Sequence, residues 1–214
     1  MRRAGRAEEA GGPARGFVVA VSGTSGGGKT TLVRRTAALL GDVVRLHFDD
    51  YIFLGNDPSE IRAWLEAGAD PNHLKTPRLA EDLRRLRAGE AAELPDGRGR
   101  VEPAEFVLLE EPFGRSRGDV APYIDLAAHI ELPPDVALAR RIVRAIEERE
   151  PPDPEQMLAH IEHDLKAYLL AGRESYEAAD RAARESADLV LDGLRPADEL
   201  AAELVAEIRR RRRT

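Results

Sequence analysis

The sequence predicts an α/β fold in which a mostly parallel β-sheet lies between layers of helices. Short apolar segments rich in β-branched residues recur along the chain, and segments with apolar residues at helical spacing separate them. Strands that alternate with helices form βα units, whose crossover helices cover both faces of the sheet. The chain has 214 residues, of which 43% are hydrophobic, and this is enough to bury a core of its own.

Five apolar segments predict the strands of this sheet. The first, residues 17–22, is bounded by glycine and is typical of a buried parallel strand. The other four predicted strands are residues 43–48, 105–109, 127–132 and 187–191. Helical spacing predicts helices over residues 30–40, 78–88, 134–149, 154 to about 186, and 196 to about 212.

The domain organisation follows from where this alternation begins and where it is interrupted. Residues 1–15 lack apolar periodicity and are expected to be a flexible leader, which leaves 16–214 as a single domain. Residues of about 54–101 depart from the alternation and predict an inserted cap. Arginines followed by a proline-rich break predict a mobile lid at about 140–156.

The composition excludes several classes of protein. The chain has no cysteine, so disulfides and thiolate metal sites are excluded. A net charge of −7 has the wrong sign for a dedicated nucleic-acid binder, and no apolar run is long enough to span a membrane. We therefore expect a cytoplasmic protein with neither nucleic acid nor membrane as partner, and leave self-association open. The run 209–213 of five arginines is typical of a solvated helix end.

The segment from Gly23 to Thr30 matches the phosphate-binding pattern G-x-x-x-x-G-K-[ST] between a predicted strand and a predicted helix. Glycines let the backbone wrap around phosphate, and the loop N–H groups with the helix N-terminus form an anion site. We expect Lys29 to bind the β- and γ-phosphates and Thr30 to bind Mg²⁺. The predicted nucleotide-binding residues here are Gly23, Thr24, Ser25, Gly26, Gly27, Gly28, Lys29, Thr30 and Thr31.

Carboxylates follow the second and third predicted strands, at the sheet edge where open α/β folds bind ligands. Asp49 and Asp50 end the second strand, and Asp49 is the preferred base for a hydroxyl acceptor, with Asp50 as the alternative. Glu110 and Glu111 end the third strand. Because Glu110 continues the strand, it is the preferred metal-side carboxylate, and Glu111 remains the alternative.

Arginines after the fourth strand predict the positive charge that a phosphoryl transfer requires. Arg140, Arg141 and Arg144 lie near one side of a predicted helix and are assigned to the lid, with Arg141 as a catalytic residue. Arg115 follows the third strand and is assigned to the acceptor, while Arg195 is assigned to the adenine end of the nucleotide.

The acceptor side is expected to include residues from two further places. Asp50 and Tyr51 follow the second strand, and His73, Lys75 and Arg78 lie in an unusual polar segment. Lysine is rare in this chain, and these side chains suit an anionic or polyhydroxyl ligand, although an exposed polar loop explains them equally well.

The remaining features select among nucleotide-binding proteins. The chain lacks the base-reading Asn-Lys-x-Asp pattern of GTPases and the signature of transporter ATPases. A carboxylate beside the phosphate loop and a lid favour a small-molecule phosphotransferase that uses ATP and Mg²⁺. A regulator that only binds or hydrolyses ATP is the alternative from another class.

With these motifs in place, the chain resembles the uridine kinase, phosphoribulokinase and nicotinamide riboside kinase group of P-loop kinases. The shared segments are Gly23 to Thr31, the Asp-Asp-Tyr at 49–51, a helix at 82–89, the lid sequence from Leu138 to Arg144 and the closing segment 187–193. The resemblance implies a P-loop NTPase three-layer sandwich with a five-stranded parallel sheet in the order 2-3-1-4-5, and a helical cap and lid.

The same resemblance implies transfer of the γ-phosphoryl group to a hydroxyl of a nucleoside, with a uridine-like acceptor as the leading interpretation. The sequence departs from the group after the third strand, where Pro112 follows Glu111, and at Ala145, where the group has aspartate. The segment at residues 70–78 replaces the nucleoside-binding segment of the group. A sugar, a sugar phosphate or pantothenate therefore remains an alternative acceptor.

Overall fold

A computed structural model describes residues 16–52, 58–147 and 153–213. Five parallel strands form the central sheet in the order β2-β5-β1-β6-β7, and a separate antiparallel hairpin pairs β3 with β4. The strands are β1 (Phe17–Gly23), β2 (Val43–His47), β3 (Ala92–Glu93), β4 (Arg100–Val101), β5 (Phe106–Glu110), β6 (Leu126–Glu131) and β7 (Leu189–Asp192). With the hairpin strands set aside, this order is 2-3-1-4-5, and the predicted sheet is confirmed.

Seven α-helices surround the sheet in the described part of the chain. They are α1 (Lys29–Leu40), α2 (Pro58–Glu66), α3 (Pro77–Arg87), α4 (Pro134–Glu147), α5 (Pro154–Ala167), α6 (Arg173–Glu185) and α7 (Ala197–Arg212). A π-helical turn, Tyr168–Gly172, interrupts the long helix predicted from residue 154. The sequence analysis missed α2, the hairpin and this turn. The predicted leader lies outside the described residues.

The sheet separates two apolar layers, because successive side chains of a strand point to opposite faces. On one face, Val19 and Val21 of β1 pack with α1 and α7. On the other face, Val18 and Ala20 pack with α3. Every residue of β5 is buried, as expected for a strand that has neighbours on both sides and helices on both faces.

Helix α3 comes from the segment predicted to form an inserted cap, but it covers the sheet. Leu79, Leu83 and Leu86 lie three and four residues apart and are fully buried in the layer that contains Val18. The predicted cap therefore divides into two parts: α3 is a layer of the sandwich, whereas α2 lies at the carboxyl-terminal edge of the sheet, where Trp64 contacts Phe113 with ring centroids 6.1 Å apart.

Three of the arginines at the end of α7 are paired with carboxylates of the same chain. Arg210 and Arg211 bind Glu207, and Arg211 also contacts Asp188 at 3.3 Å. Arg212 binds Glu105. None of the helices in the described ranges is both long enough and apolar enough to cross a bilayer.

A buried ion pair joins the end of β5 to the segment that precedes α3. Glu111 and Arg117 are both fully buried, and their side chains meet at 2.8 Å. The guanidinium also donates to the carbonyl of Leu74 and the hydroxyl of Thr76, each at 2.7 Å. Its carbon lies 4.8 Å from the ring centroid of Phe48. Arg117 therefore holds three separate segments of the chain together.

We predict that Glu111→Gln and Arg117→Met will each lower the free energy of unfolding by about 3–5 kcal/mol, because each leaves one buried charge without its partner. The double variant should lose less than the sum of the two single losses. Urea denaturation of the four proteins tests this, and additive losses would show that the pair is not coupled.

Candidate active site

The loop between β1 and α1 has the geometry of an anion site. Gly26 and Gly28 have φ values of +85° and +96°, in the left-handed region that glycine tolerates best. Gly28 caps the N-terminus of α1, so the first N–H groups of that helix face the loop. The ammonium of Lys29 donates to the carbonyls of Gly23 at 2.8 Å and Thr24 at 3.2 Å. Burial lowers the pKa of Lys29.

Glu110 lies beside this loop because of strand register. His47 of β2 pairs in register with Glu110, and Val21 of β1 pairs with it from the other side. The Glu110 carboxylate accepts a hydrogen bond from the Thr30 hydroxyl at 2.9 Å and contacts Nδ1 of His47 at 3.0 Å. Burial by itself would raise the pKa of Glu110. The hydrogen bond and charge of His47, together with the hydrogen bond from Thr30, outweigh burial, and the pKa lies below its ordinary value.

A hydroxyl and a carboxylate at this position are suitable ligands for Mg²⁺, which prefers oxygen donors. Glu110, which ends β5, meets Thr30 directly, whereas Glu111 is committed to Arg117 on the other side of the strand. The two carboxylates that the sequence left as alternatives thus have different surroundings, and those of Glu110 fit a metal-side role.

A cleft of about 860 Å³ opens from the phosphate loop toward α2. Lys29, Asp49 and Glu110 line it, with Asp49 in the 3-10 turn that follows β2. The opposite wall is apolar and aromatic, and includes Trp64 and Phe113. Of the acceptor residues predicted from the polar 70–78 segment, His73 lines this cleft as well.

A second cleft, of about 330 Å³, lies on the other side of the loop. Arg141 and Arg144 of α4 line it with Ser25, so two predicted lid arginines do lie beside the phosphate loop. Arg140 is directed elsewhere and donates to the carbonyl of Gly193 at 3.2 Å.

Several predicted site residues have other partners. Asp50 pairs with Arg98 at 2.6 Å. Tyr51 is buried in the core, where its hydroxyl donates to Asp82 at 3.1 Å, and burial raises its pKa. Arg78 pairs with Asp82 at 3.4 Å. These three side chains therefore stabilise the fold at positions where we had expected contacts with the acceptor.

Three other predicted residues also lie apart from the main cleft. Lys75 is exposed beyond the cleft wall. Arg115 pairs with Asp188 at 2.6 Å, and Arg195 pairs with Glu203 at 2.7 Å. An arginine that already has a carboxylate partner must lose it before it can bind a ligand. Our predictions for Arg115 and Arg195 therefore lack support in this structure.

The sequence analysis missed a buried polar chain behind the phosphate loop. Ser22 and His129 pair in register on β1 and β6, and their side chains lie 3.2 Å apart. The other nitrogen of His129 lies 3.4 Å from Asp180 of α6, which lines the main cleft. Burial lowers the pKa of His129 and raises that of Asp180. A histidine within the apolar pattern of β6 was the available signal.

Comparison with known proteins finds relatives of this chain by sequence and by fold. No protein-family model matches the chain. A uridine kinase of Halobacterium salinarum is 27% identical over 188 residues, which cover 82% of this chain and 79% of that protein. A uridine kinase of Macrococcus caseolyticus is 26% identical over 144 residues, covering 62% and 70%.

Two solved structures have the same fold. A possible uridine kinase from Bacillus stearothermophilus aligns with a TM-score of 0.51 and 18% identity, over 86% of this chain and 92% of that one. A gluconokinase from Sinorhizobium meliloti aligns with a TM-score of 0.52 and 18% identity, over 92% and 93%. Identity at this level shows the fold alone.

The sheet order and the phosphate loop define the fold of the P-loop kinases, and both solved neighbours share it. Within that class, the sequence is similar to uridine kinases, at 23–27% identity. The resemblance to the uridine kinase group that the motifs indicated is therefore confirmed.

We predict that Gly26→Ala will destabilise the phosphate loop by more than the ordinary cost of placing alanine in a left-handed backbone conformation. A Cβ at residue 26 would lie 2.4 Å from the carbonyl oxygen of Ala137 on α4, so one of the two segments must move. Gly97→Ala is the matched control, because Gly97 also has a positive φ but open space around it. The control should lose only about 1–2 kcal/mol of unfolding free energy.

The two variants are compared by urea denaturation and by calorimetric titration with nucleotide. Gly26→Ala should lose more stability than Gly97→Ala and should also bind nucleotide at least about tenfold more weakly, whereas Gly97→Ala should bind normally. Equal losses in both assays would contradict a close contact between the loop and α4.

We predict a pH-dependent contribution of His47 to stability. The hydrogen bond to Glu110 raises the pKa of His47, so the stabilisation is complete below the ordinary histidine pKa and is lost as the pH rises through the raised value. The stability difference between the wild type and His47→Gln should therefore be larger at pH 5.5 than at pH 8.5. Because His47 is partly exposed, the change should stay below about 1 kcal/mol.

Denaturation of the protein without divalent cations at both pH values measures this difference. In a background that carries Glu110→Gln, the pH dependence of the His47→Gln effect should disappear. If the pH dependence persists in the Glu110→Gln background, the interaction with Glu110 is not its cause.

Proposed function

We propose that this protein is a small-molecule kinase that uses ATP and Mg²⁺ and transfers the γ-phosphoryl group to a hydroxyl of a nucleoside, with a uridine-like acceptor favoured. One observation carries the proposal: Lys29, Asp49 and Glu110 line the same cleft at the carboxyl-terminal edge of the sheet. A cation for phosphate, a carboxylate for the acceptor and a carboxylate for the metal are the groups that this transfer requires.

The donor half of the site binds the triphosphate. Backbone N–H groups of the 23–31 loop and the N-terminus of α1 would surround the phosphates, and Lys29 would exchange its present contacts with the loop carbonyls for phosphate oxygens. Thr30 and Glu110 would hold Mg²⁺, which supplies positive charge to the β- and γ-phosphates. Arg141 and Arg144 would add positive charge from α4, in the part of the chain proposed as a lid at about 140–156.

Asp49 performs the acceptor-side step. Its carboxylate is exposed at the cleft and has no structural partner among the described residues. In the proposed mechanism it accepts a hydrogen bond from the attacking hydroxyl, orients the oxygen toward the γ-phosphorus and takes the proton as the new P–O bond forms. Asp50 is less suitable because it pairs with Arg98.

The charge of the main cleft bears on the class of acceptor. Its lining includes the carboxylates of Asp49, Glu60, Glu110 and Asp180, against the ammonium of Lys29 and two histidines. With Lys29 engaged by phosphate and Glu110 by Mg²⁺, the carboxylates of Asp49, Glu60 and Asp180 remain in the lining, which disfavours an anionic acceptor such as a sugar phosphate or pantothenate. The apolar wall at Trp64 and Phe113 suits a flat group such as a nucleobase.

The similarity to uridine kinases supports a nucleoside acceptor, whereas the fold alone does not select one, since a gluconokinase shares it. Release of ADP from Mg²⁺-ATP should be measured with uridine, cytidine, nicotinamide riboside, pantothenate and ribulose 5-phosphate. Stimulation by a nucleoside supports the proposal. Stimulation only by an anionic acceptor would overturn the charge argument, and hydrolysis without any stimulation would favour a regulatory ATPase.

We predict that Asp49→Asn will retain ATP affinity within about twofold and lower turnover by a factor of about 10² or more, because the acceptor hydroxyl loses its base. Asp50→Asn is the matched control and should keep most of the turnover, because its carboxylate is engaged with Arg98. Calorimetry and the ADP-release assay measure the two quantities. If Asp50→Asn loses more turnover than Asp49→Asn, Asp50 is the base and the two assignments are reversed.

A further inference from the structure

We propose that Tyr168 and Tyr176 are positioning residues for Arg141, holding its guanidinium beside the phosphate loop with its N–H donors available to the phosphoryl group. This inference rests on the proposed kinase function and identifies the part of the protein that prepares the lid arginine before nucleotide binds.

The two rings form a pocket for one cation. The guanidinium carbon of Arg141 lies 5.0 Å from the ring centroid of Tyr176 and 5.6 Å from that of Tyr168. The two ring centroids are 6.1 Å apart, and the ring planes differ by 31°. Both distances to the cation lie within the range of cation–π attraction.

The position of Arg141 makes this arrangement relevant to phosphate. Arg141 lines the 330 Å³ cleft together with Ser25 of the phosphate loop, and it also lines a smaller pocket that Ser25 shares with the two tyrosines. Its Cγ also packs closely against Gly26, where an added Cβ would approach it to 3.0 Å. The guanidinium is thus held next to the loop in the absence of any nucleotide.

The kind of partner distinguishes Arg141 from several other arginines of the protein. Arg115, Arg117 and Arg195 are each bound to a carboxylate. Within the described ranges, Arg141 forms no ion pair with a carboxylate. A ring face attracts the cation without occupying its N–H groups, so Arg141 keeps its full charge and its forked donors for an anion.

A change in helix geometry lies between the two tyrosines. Tyr168 is the first residue of the π-helical turn, and Tyr176 lies in the first turns of α6 that follow it. In a regular α-helix, residues eight positions apart would lie more than two turns from each other, or about 12 Å along the axis. The π-helical turn changes this spacing and alignment, and such turns are frequent at functional sites.

The same turn is fixed to the acceptor side of the protein. Arg62 of α2 donates to the carbonyl of Leu170 within the π-helical turn. Helix α2 also supplies Trp64 to the main cleft. The turn that carries Tyr168 is therefore held by the helix that faces the acceptor, which gives the aromatic pocket a defined position relative to both ligands.

The test compares removal of each ring with removal of its hydroxyl alone. Tyr168→Leu and Tyr176→Leu should each lower kcat for the best acceptor by roughly three- to thirtyfold and weaken the Kd for Mg²⁺-ATP more than that for Mg²⁺-ADP, because the positioned cation serves the γ-phosphate. Tyr168→Phe and Tyr176→Phe retain the ring and should stay within about twofold of wild type. Leu169→Ala changes an exposed neighbour on the same turn and is the control.

A further comparison uses Arg141→Ala, in which the added Tyr176→Leu should have no additional effect on kcat or on either Kd. Equal defects in the phenylalanine and leucine variants, or full activity in the leucine variants, would overturn the proposal while leaving the kinase function intact. If the wild type itself fails to bind Mg²⁺-ATP by calorimetry, both the proposed function and this inference are wrong.

Discussion

At the end of β5, side chains alternate in direction, and this places one carboxylate in the candidate active site and the next one in the core. Glu110 and Glu111 are neighbours in sequence, but an extended chain directs them to opposite sides. One carboxylate meets Thr30 at the phosphate loop, and the other is buried against Arg117. The buried pair fixes the strand end, and the contacts with Thr30 and His47 then hold the Glu110 carboxylate beside the loop.

Electrostatics divides the molecule into three zones. The phosphate loop and α4 provide positive charge, the main cleft is predominantly acidic, and three arginines at the end of α7 are paired with carboxylates of the same chain. A protein with an overall charge of −7 can therefore still present a local anion site, because backbone N–H groups and a few positioned cations dominate at short range.

The sequence was informative where the signal is local. Apolar periodicity predicted all five strands of the sheet, and the spacing of the loop motif predicted where Lys29 and Thr30 would lie. It failed where a role depends on which distant segments meet. The partner of Arg117 and the polar chain behind His129 arise from tertiary contacts between elements far apart in sequence. The aromatic pocket includes Tyr168 of a π-helical turn, which has no reliable sequence pattern.

The origin of helix α3 has a consequence for how acceptor preference can change in this architecture. Its leucines are a layer of the core, so exchanging the whole segment of residues 58–101 for that of another enzyme would remove part of the hydrophobic interior together with the ligand-facing residues. Helix α2 is not part of this core layer, because its interior-facing residues border the cleft. A new acceptor specificity is therefore most accessible through substitutions within the nine residues of α2, with α3 left unchanged in the core.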